Sequence, residues 1–106
     1  MNTTAEMWVN IWYIPTTDIT LLNTKIKESL VSSSFSIIGE SEYHFSPQGY
    51  TKAFLLSESH CALHTWPEVN KTWLELASCN QEKLTNFSAL IKDMFGSDPV
   101  SQITTK

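Results

Sequence analysis

The sequence predicts an α+β fold: a two-layer sandwich in which an antiparallel sheet carries two helices on one face. Three observations lead there. Short aromatic and β-branched runs bounded by turn residues recur along the chain, as in "MWVNIWYIP" and "YTKAFLL". Only two stretches, near residues 19–30 and 84–94, repeat apolar residues at helical spacing. Two amphipathic helices cannot cover both faces of a four- or five-stranded sheet, so both are expected on one side. The bare face then needs a partner, and the expected assembly is a homodimer layered α/β/β/α.

Each element follows in order. Met7–Ile14 is apolar, aromatic and closed by Pro15, which reads as a strand. Thr17 or Asp18 can cap a helix whose stripe is Ile19, Leu22, Ile26 and Leu30. "SSS" at 32–34 interrupts it. Phe35–Phe45 is extended, with a break expected near Gly39, and "SPQG" at 46–49 is turn chemistry. Tyr50–Leu56, Ser59–Trp66 and Thr72–Cys79 read as strands, the last two joined by "PEVNK". Leu84, Phe87, Ile91 and Met94 form the second helical stripe, with Gly96 as its C-cap. The polar tail after Ser97 is expected to be loose. The predicted order is β-α-β-β-β-β-α.

Composition narrows the function. A chain of 106 residues with 42% hydrophobic content suits one domain, residues 1–106. Net charge is −4, and the seven basic residues are scattered singly. That pattern offers no footprint for nucleic acid and no polybasic membrane patch. No apolar run nears the roughly 20 residues of a membrane span. "MNTTAEMWVN" lacks a basic n-region and a long apolar core, so the expected location is cytoplasmic. Cys61 and Cys79 stand alone, without a CxxC or a disulfide framework.

The densest chemistry is "LLSESHCALHTWPE", Leu55 to Glu68. A buried strand with polar fillers would account for it. His60, Cys61, His64 and Cys79 are metal-ligand types, yet strand parity sends Cys61 away from the two histidines, and no common zinc spacing is met. No metal is expected. A Ser/Cys–His hydrolase is a further reading, without the G-x-S-x-G elbow that usually presents the nucleophile. From the residue types alone these readings stay open.

"FSPQG" (45–49), "SESH" (57–60), "HTWPE" (64–68) and Cys79 together resemble the small prokaryotic S-adenosylmethionine decarboxylases, which are pyruvoyl enzymes. The likeness spans about residues 7–96 and keeps the order and spacing of each motif. It implies a proenzyme that cuts itself between Glu58 and Ser59 into a β chain, 1–58, and an α chain, 59–106. Ser59 would attack the Glu58 carbonyl and become the pyruvoyl group, the self-derived cofactor that holds substrate as a Schiff base. The resemblance makes His64 the processing base, supported by the hydroxyl of Thr51, and Cys79 the proton donor in turnover. Phe45 and Trp66 would sandwich adenine, and Glu68 would accept hydrogen bonds from the ribose hydroxyls. The implied partner is S-adenosylmethionine, the product is the aminopropyl donor for spermidine, and the assembly is a homodimer or a dimer of αβ units.

Two chemical points accompany the likeness. A serine hydroxyl is a weak nucleophile, so a strained peptide at the "SESH" junction is expected. On a strand, His64 has the opposite parity to Ser59, so the chain must bend there or present its reacting carbonyl and α-hydrogen toward His64. The sequence also departs from the family in places. Asn10 stands near a common acid, Lys52 near a common glycine, and Asn80–Gln81 where a glycine and an acid usually follow the cysteine. These departures keep a same-scaffold decarboxylase of arginine or ornithine in view; a non-catalytic regulatory homologue is a separate alternative, which the presence of Ser59, His64 and Cys79 disfavours.

Overall fold

The structure, a computed structural model, describes residues 6–105. β1 (Met7–Ile14) leads to α1 (Ile19–Ser32), then β2 (Ile37–His44), β3 (Tyr50–Leu56) and β4 (His60–Trp66). A short 3-10 turn, Pro67–Val69, precedes β5 (Lys71–Ser78), α2 (Gln81–Phe95) and β6 (Ser101–Thr105). The strands form one six-stranded sheet in the order β2-β3-β4-β5-β1-β6, and every neighbouring pair is antiparallel.

Local chemistry explains the boundaries. Asp18 caps α1, its carboxylate accepting from the Leu21 N–H at 3.0 Å. Gly96 ends α2 at φ +69°, a left-handed cap that glycine adopts without steric cost. The register of β2 against β3 shifts between Ile37 and Gly39, where the sequence suggested a break.

The tail is the main correction. It was expected to be loose, but Ser101–Thr105 pairs with β1, Ile103 opposite Val9. The Val100 N–H donates to the Ile11 carbonyl at 2.7 Å as it enters the strand. An edge strand needs mainly backbone partners, so polar β-branched residues suffice and no apolar alternation announces it.

Both helices lie on one face. Leu22, Ile26 and Leu30 of α1 and Leu84, Phe87 and Ile91 of α2 join Trp12, Phe54, Leu63 and Leu74 in the core. Each such side chain contributes roughly 1.5–3 kcal/mol when taken from water. Trp12 meets Phe87 edge-on at 5.5 Å between ring centres. The other face stays open. Tyr13, Tyr43, Leu55 and Ile103 are exposed there, flanking smaller groups such as Ala53 and Ala62. Among the described residues, no helix is long and apolar enough to cross a membrane.

Lys52, whose bearing on the substrate the sequence left open, points to the helix side. Its ammonium lies 2.9 Å from Glu40 and 3.8 Å from Glu42, and Glu40 also meets Lys27 at 2.8 Å. Hydrogen bonds from Lys27 and then Lys52 hold the Glu40 carboxyl below its ordinary range. A lowered folded-state value stabilises the fold above the unfolded carboxylate pKa, near 4.3, and this contribution fades as pH falls below it. Lys52→Met should therefore cost on the order of 1–2 kcal/mol at pH 7. In urea titrations, the gap from the parent protein should narrow as pH falls below the ordinary carboxylate range and Glu40 takes up its proton.

Candidate active site

The β3–β4 hairpin turns through Ser57 and Glu58. The Leu56 N–H donates to the Ser59 carbonyl at 3.0 Å, and the Ser57 N–H to Ser36 at 3.1 Å. Strand β4 opens only at His60 and β5 closes at Ser78, so Ser59 and Cys79 each lie one residue outside a strand the sequence would have extended over them. His60 pairs with Ala77, which sets Ser59 near Ser78 and Glu58 near Cys79. The Cys79 thiol donates to the Glu58 carboxylate at 3.5 Å. Ser59, Glu58, Cys79, Phe35 and Lys83 share a cleft of about 120 Å³.

Asn80, a departure from the family pattern, caps α2: its side chain accepts from the Lys83 N–H at 3.0 Å, and its own N–H donates to the Ser78 hydroxyl at 2.9 Å. Cys79 is thus pinned between a strand end and a helix start. The expected strain at the junction is not found in φ. Among the described residues, the non-glycine residues with positive φ are Ser34 and Asn70, neither of them at 57–59.

A second cluster occupies the far end of β4, on the open face. Thr51 lies directly across from His64, and its hydroxyl is 2.9 Å from Nδ1. In the tautomer in which Nδ1 donates to that hydroxyl, Nε2 is free to act as a base. Phe45, Trp66 and Glu68 line a larger cleft of about 390 Å³ with Thr51 and His64. The Phe45 N–H donates to the Gly49 carbonyl at 2.9 Å, and Gly49 has φ +113°. A Cβ at Gly49 would sit 3.4 Å from that of Phe45, so this turn glycine preserves the ring's place. Gln48, part of "FSPQG", donates to Glu68 at 3.5 Å.

The two clusters do not meet within one chain. Ser59 and His64 are five residues apart on nearly continuous strand, which is roughly 16 Å, and Trp66 is roughly 23 Å away. Ladder pairs run unbroken from Leu55–His60 to Thr51–His64, so no bend at Ser59 brings the histidine closer. Within one chain, His64 is therefore out of reach of the Glu58–Ser59 bond.

The remaining candidates play other parts. Cys61 is wholly buried, and burial pushes its thiol far above the nucleophilic range. His60 lies 3.8 Å from Glu75 on the open face. Among the described residues, no three His, Cys, Asp or Glu side chains gather as a metal site would require.

Comparison with known proteins places this geometry in context. A family model described as S-adenosylmethionine decarboxylase matches residues 6–106. The chain is 29% identical over 93 residues to an S-adenosylmethionine decarboxylase proenzyme of Acidithiobacillus ferrooxidans, covering 84% of this chain and 68% of the relative. It is 36% identical over 62 residues to the proenzyme of the same name from Symbiobacterium thermophilum, covering 58% and 47%. Its fold is similar to that of the adenosylmethionine decarboxylase from Aquifex aeolicus, with a TM-score of 0.71 at 18% identity, over 98% of this chain and 89% of that one.

Proposed function

The chain belongs to the S-adenosylmethionine decarboxylase family, and we propose that it decarboxylates S-adenosylmethionine after cutting itself between Glu58 and Ser59. The observation that carries this reading is the pair of complementary half-sites at opposite ends of β4. One holds a serine, a thiol and the junction to be cut; the other holds a histidine–threonine pair and two exposed aromatic rings over a carboxylate.

The self-cleavage uses the chain's own atoms. The Ser59 hydroxyl oxygen attacks the Glu58 carbonyl carbon, and the 58–59 peptide C–N bond breaks as the ester forms. A base then removes the α-hydrogen of residue 59, and the ester C–O bond breaks with Glu58 leaving as a carboxylate. The dehydroalanine left at 59 takes up water and loses ammonia, which gives the pyruvoyl group. The site suits this group: the serine directly follows the attacked carbonyl on an exposed turn, in a cleft it shares with the Cys79 thiol. When bound to substrate, such a group supplies an electron sink for the carbanion left by carbon dioxide.

The open sheet face, with its exposed Tyr13, Tyr43, Leu55 and Ile103, suits a second copy. A two-fold pairing of these faces can set one end of β4 against the other end of its mate. His64 of the partner subunit would then remove the α-hydrogen at Ser59, steadied by the partner's Thr51. The purine would lie between Phe45 and Trp66, with Glu68 accepting from the ribose hydroxyls and Gln48 orienting Glu68.

Cys79 would return the proton to the substrate carbon. Cys79→Ala should still permit cleavage but lower turnover by roughly 10²–10⁴, as expected for a lost general acid. The deciding measurement for function is release of labelled carbon dioxide. Release from carboxyl-labelled S-adenosylmethionine is expected; release only from arginine or ornithine would overturn the reading.

A further inference from the structure

Resting on that reading, we infer that Lys83 is the group that receives the substrate's carboxylate, and that it separates the substrate from its decarboxylated product. The substrate amine must reach residue 59, and the carboxylate shares a carbon with that amine. The carboxylate therefore enters the cleft of Ser59 and Cys79 whatever the pose of the nucleoside. That cleft, about 120 Å³, is less than a third the size of the Phe45–Trp66 cleft, about 390 Å³, which leaves the smaller one to the amino-acid end.

Two charged side chains line it: Glu58, which repels a carboxylate, and Lys83, which attracts one. Among the described residues, the lysines paired with carboxylates are Lys25, Lys27, Lys52 and Lys92. Lys83 instead rests over the ring of the buried Phe35, 5.7 Å from its centre. Its backbone N–H is tied to the Asn80 cap, the residue is half-buried and lines the cleft, and among the described residues its ammonium makes no salt bridge to a carboxylate. A substrate carboxylate drawn from water needs such a partner, because burying it unpaired is costly.

The chemistry fixes the sign of the effect. A contact to the carboxylate exists in the bound substrate and is lost as carbon dioxide leaves, so it strengthens binding without speeding the bond-breaking step. Lys83→Gln should raise the KM for S-adenosylmethionine by roughly 10- to 100-fold, the worth of one charge-assisted hydrogen bond, while kcat stays level or rises. Lys83→Arg should restore KM. A purely structural role would lower kcat and hinder self-cleavage, so the extent of cleavage of Lys83→Gln is followed alongside.

Calorimetric binding to the uncut Ser59→Ala protein supplies a readout free of turnover. Adding Lys83→Gln there should weaken S-adenosylmethionine and leave the decarboxylated amine unaffected. Equal losses for both ligands, no loss for either, or a fall in kcat with KM unchanged would each overturn the assignment. If the parent protein, with Lys83 intact, releases no carbon dioxide from S-adenosylmethionine, the decarboxylase reading itself fails, and Lys83 with it.

Discussion

Ser59→Ala is expected to persist as one chain of 106 residues under every condition in which the parent separates into 1–58 and 59–106. Intact mass spectrometry reads the outcome directly. The effect should be total, because the acyl shift requires a hydroxyl on the residue that follows the attacked carbonyl. Ser57 lies on the wrong side of Glu58. The Cys79 thiol lies against the Glu58 side chain, and attack from it would leave residue 59 with a free amine and no pyruvoyl precursor. The substitution should not disturb the fold, since Ser59 lies outside the apolar core and before the first residue of β4. A parent protein that never separates would count against self-processing and favour a non-catalytic homologue. Cutting of Ser59→Ala at the same bond would place the nucleophile elsewhere.

Much of the fold was legible because sheet and helix periods are written plainly here. β3 alternates buried and accessible side chains from Tyr50 to Leu56, and Asp18 and Gly96 mark helix ends by chemistry that acts within a few residues. β6 was not legible, because an edge strand draws on a neighbour's backbone rather than on its own apolar residues. Lys52 looked like a change near the substrate, yet strand parity turns it to the helix side, where two carboxylates neutralise it. The site residues were recognisable as a set, and their grouping was not. Parity alone separates Ser59 from His64 by face; the rise of the strand adds the distance that makes them members of different half-sites. Lys83 carried no sequence signal, because a helix start and a hairpin meet at its cleft only in three dimensions; Gln48 lay in the turn motif and Asn80 just before the second helical stripe, but nothing local pointed to their partners Glu68 and Lys83.

The distance between the half-sites yields the second large effect. His64→Ala alone should remain uncut, because the ester at Ser59 has lost the base that drives elimination. Co-produced with Ser59→Ala, which also cannot cut itself, the His64→Ala chain should be cleaved. Each mixed dimer contains one site that joins the intact Ser59 of one chain to the intact His64 of the other. Random pairing of equal amounts puts about half of the His64→Ala chains into such dimers, so about half should appear as fragments while every Ser59→Ala chain stays whole. Distinct tags on the two chains allow mass spectrometry to assign the fragments. A site contained within one chain predicts no cleavage in the mixture, and cleavage of His64→Ala by itself would remove the histidine from processing. For one chain to serve itself, β4 would have to shorten by roughly 10 Å between residues 59 and 64. That would strip its ladder from both β3 and β5 and expose the Cys61 and Leu63 side chains that hold the sheet to its helices. Such a loss is far larger than a marginally stable fold withstands, and two copies meeting face to face avoid it.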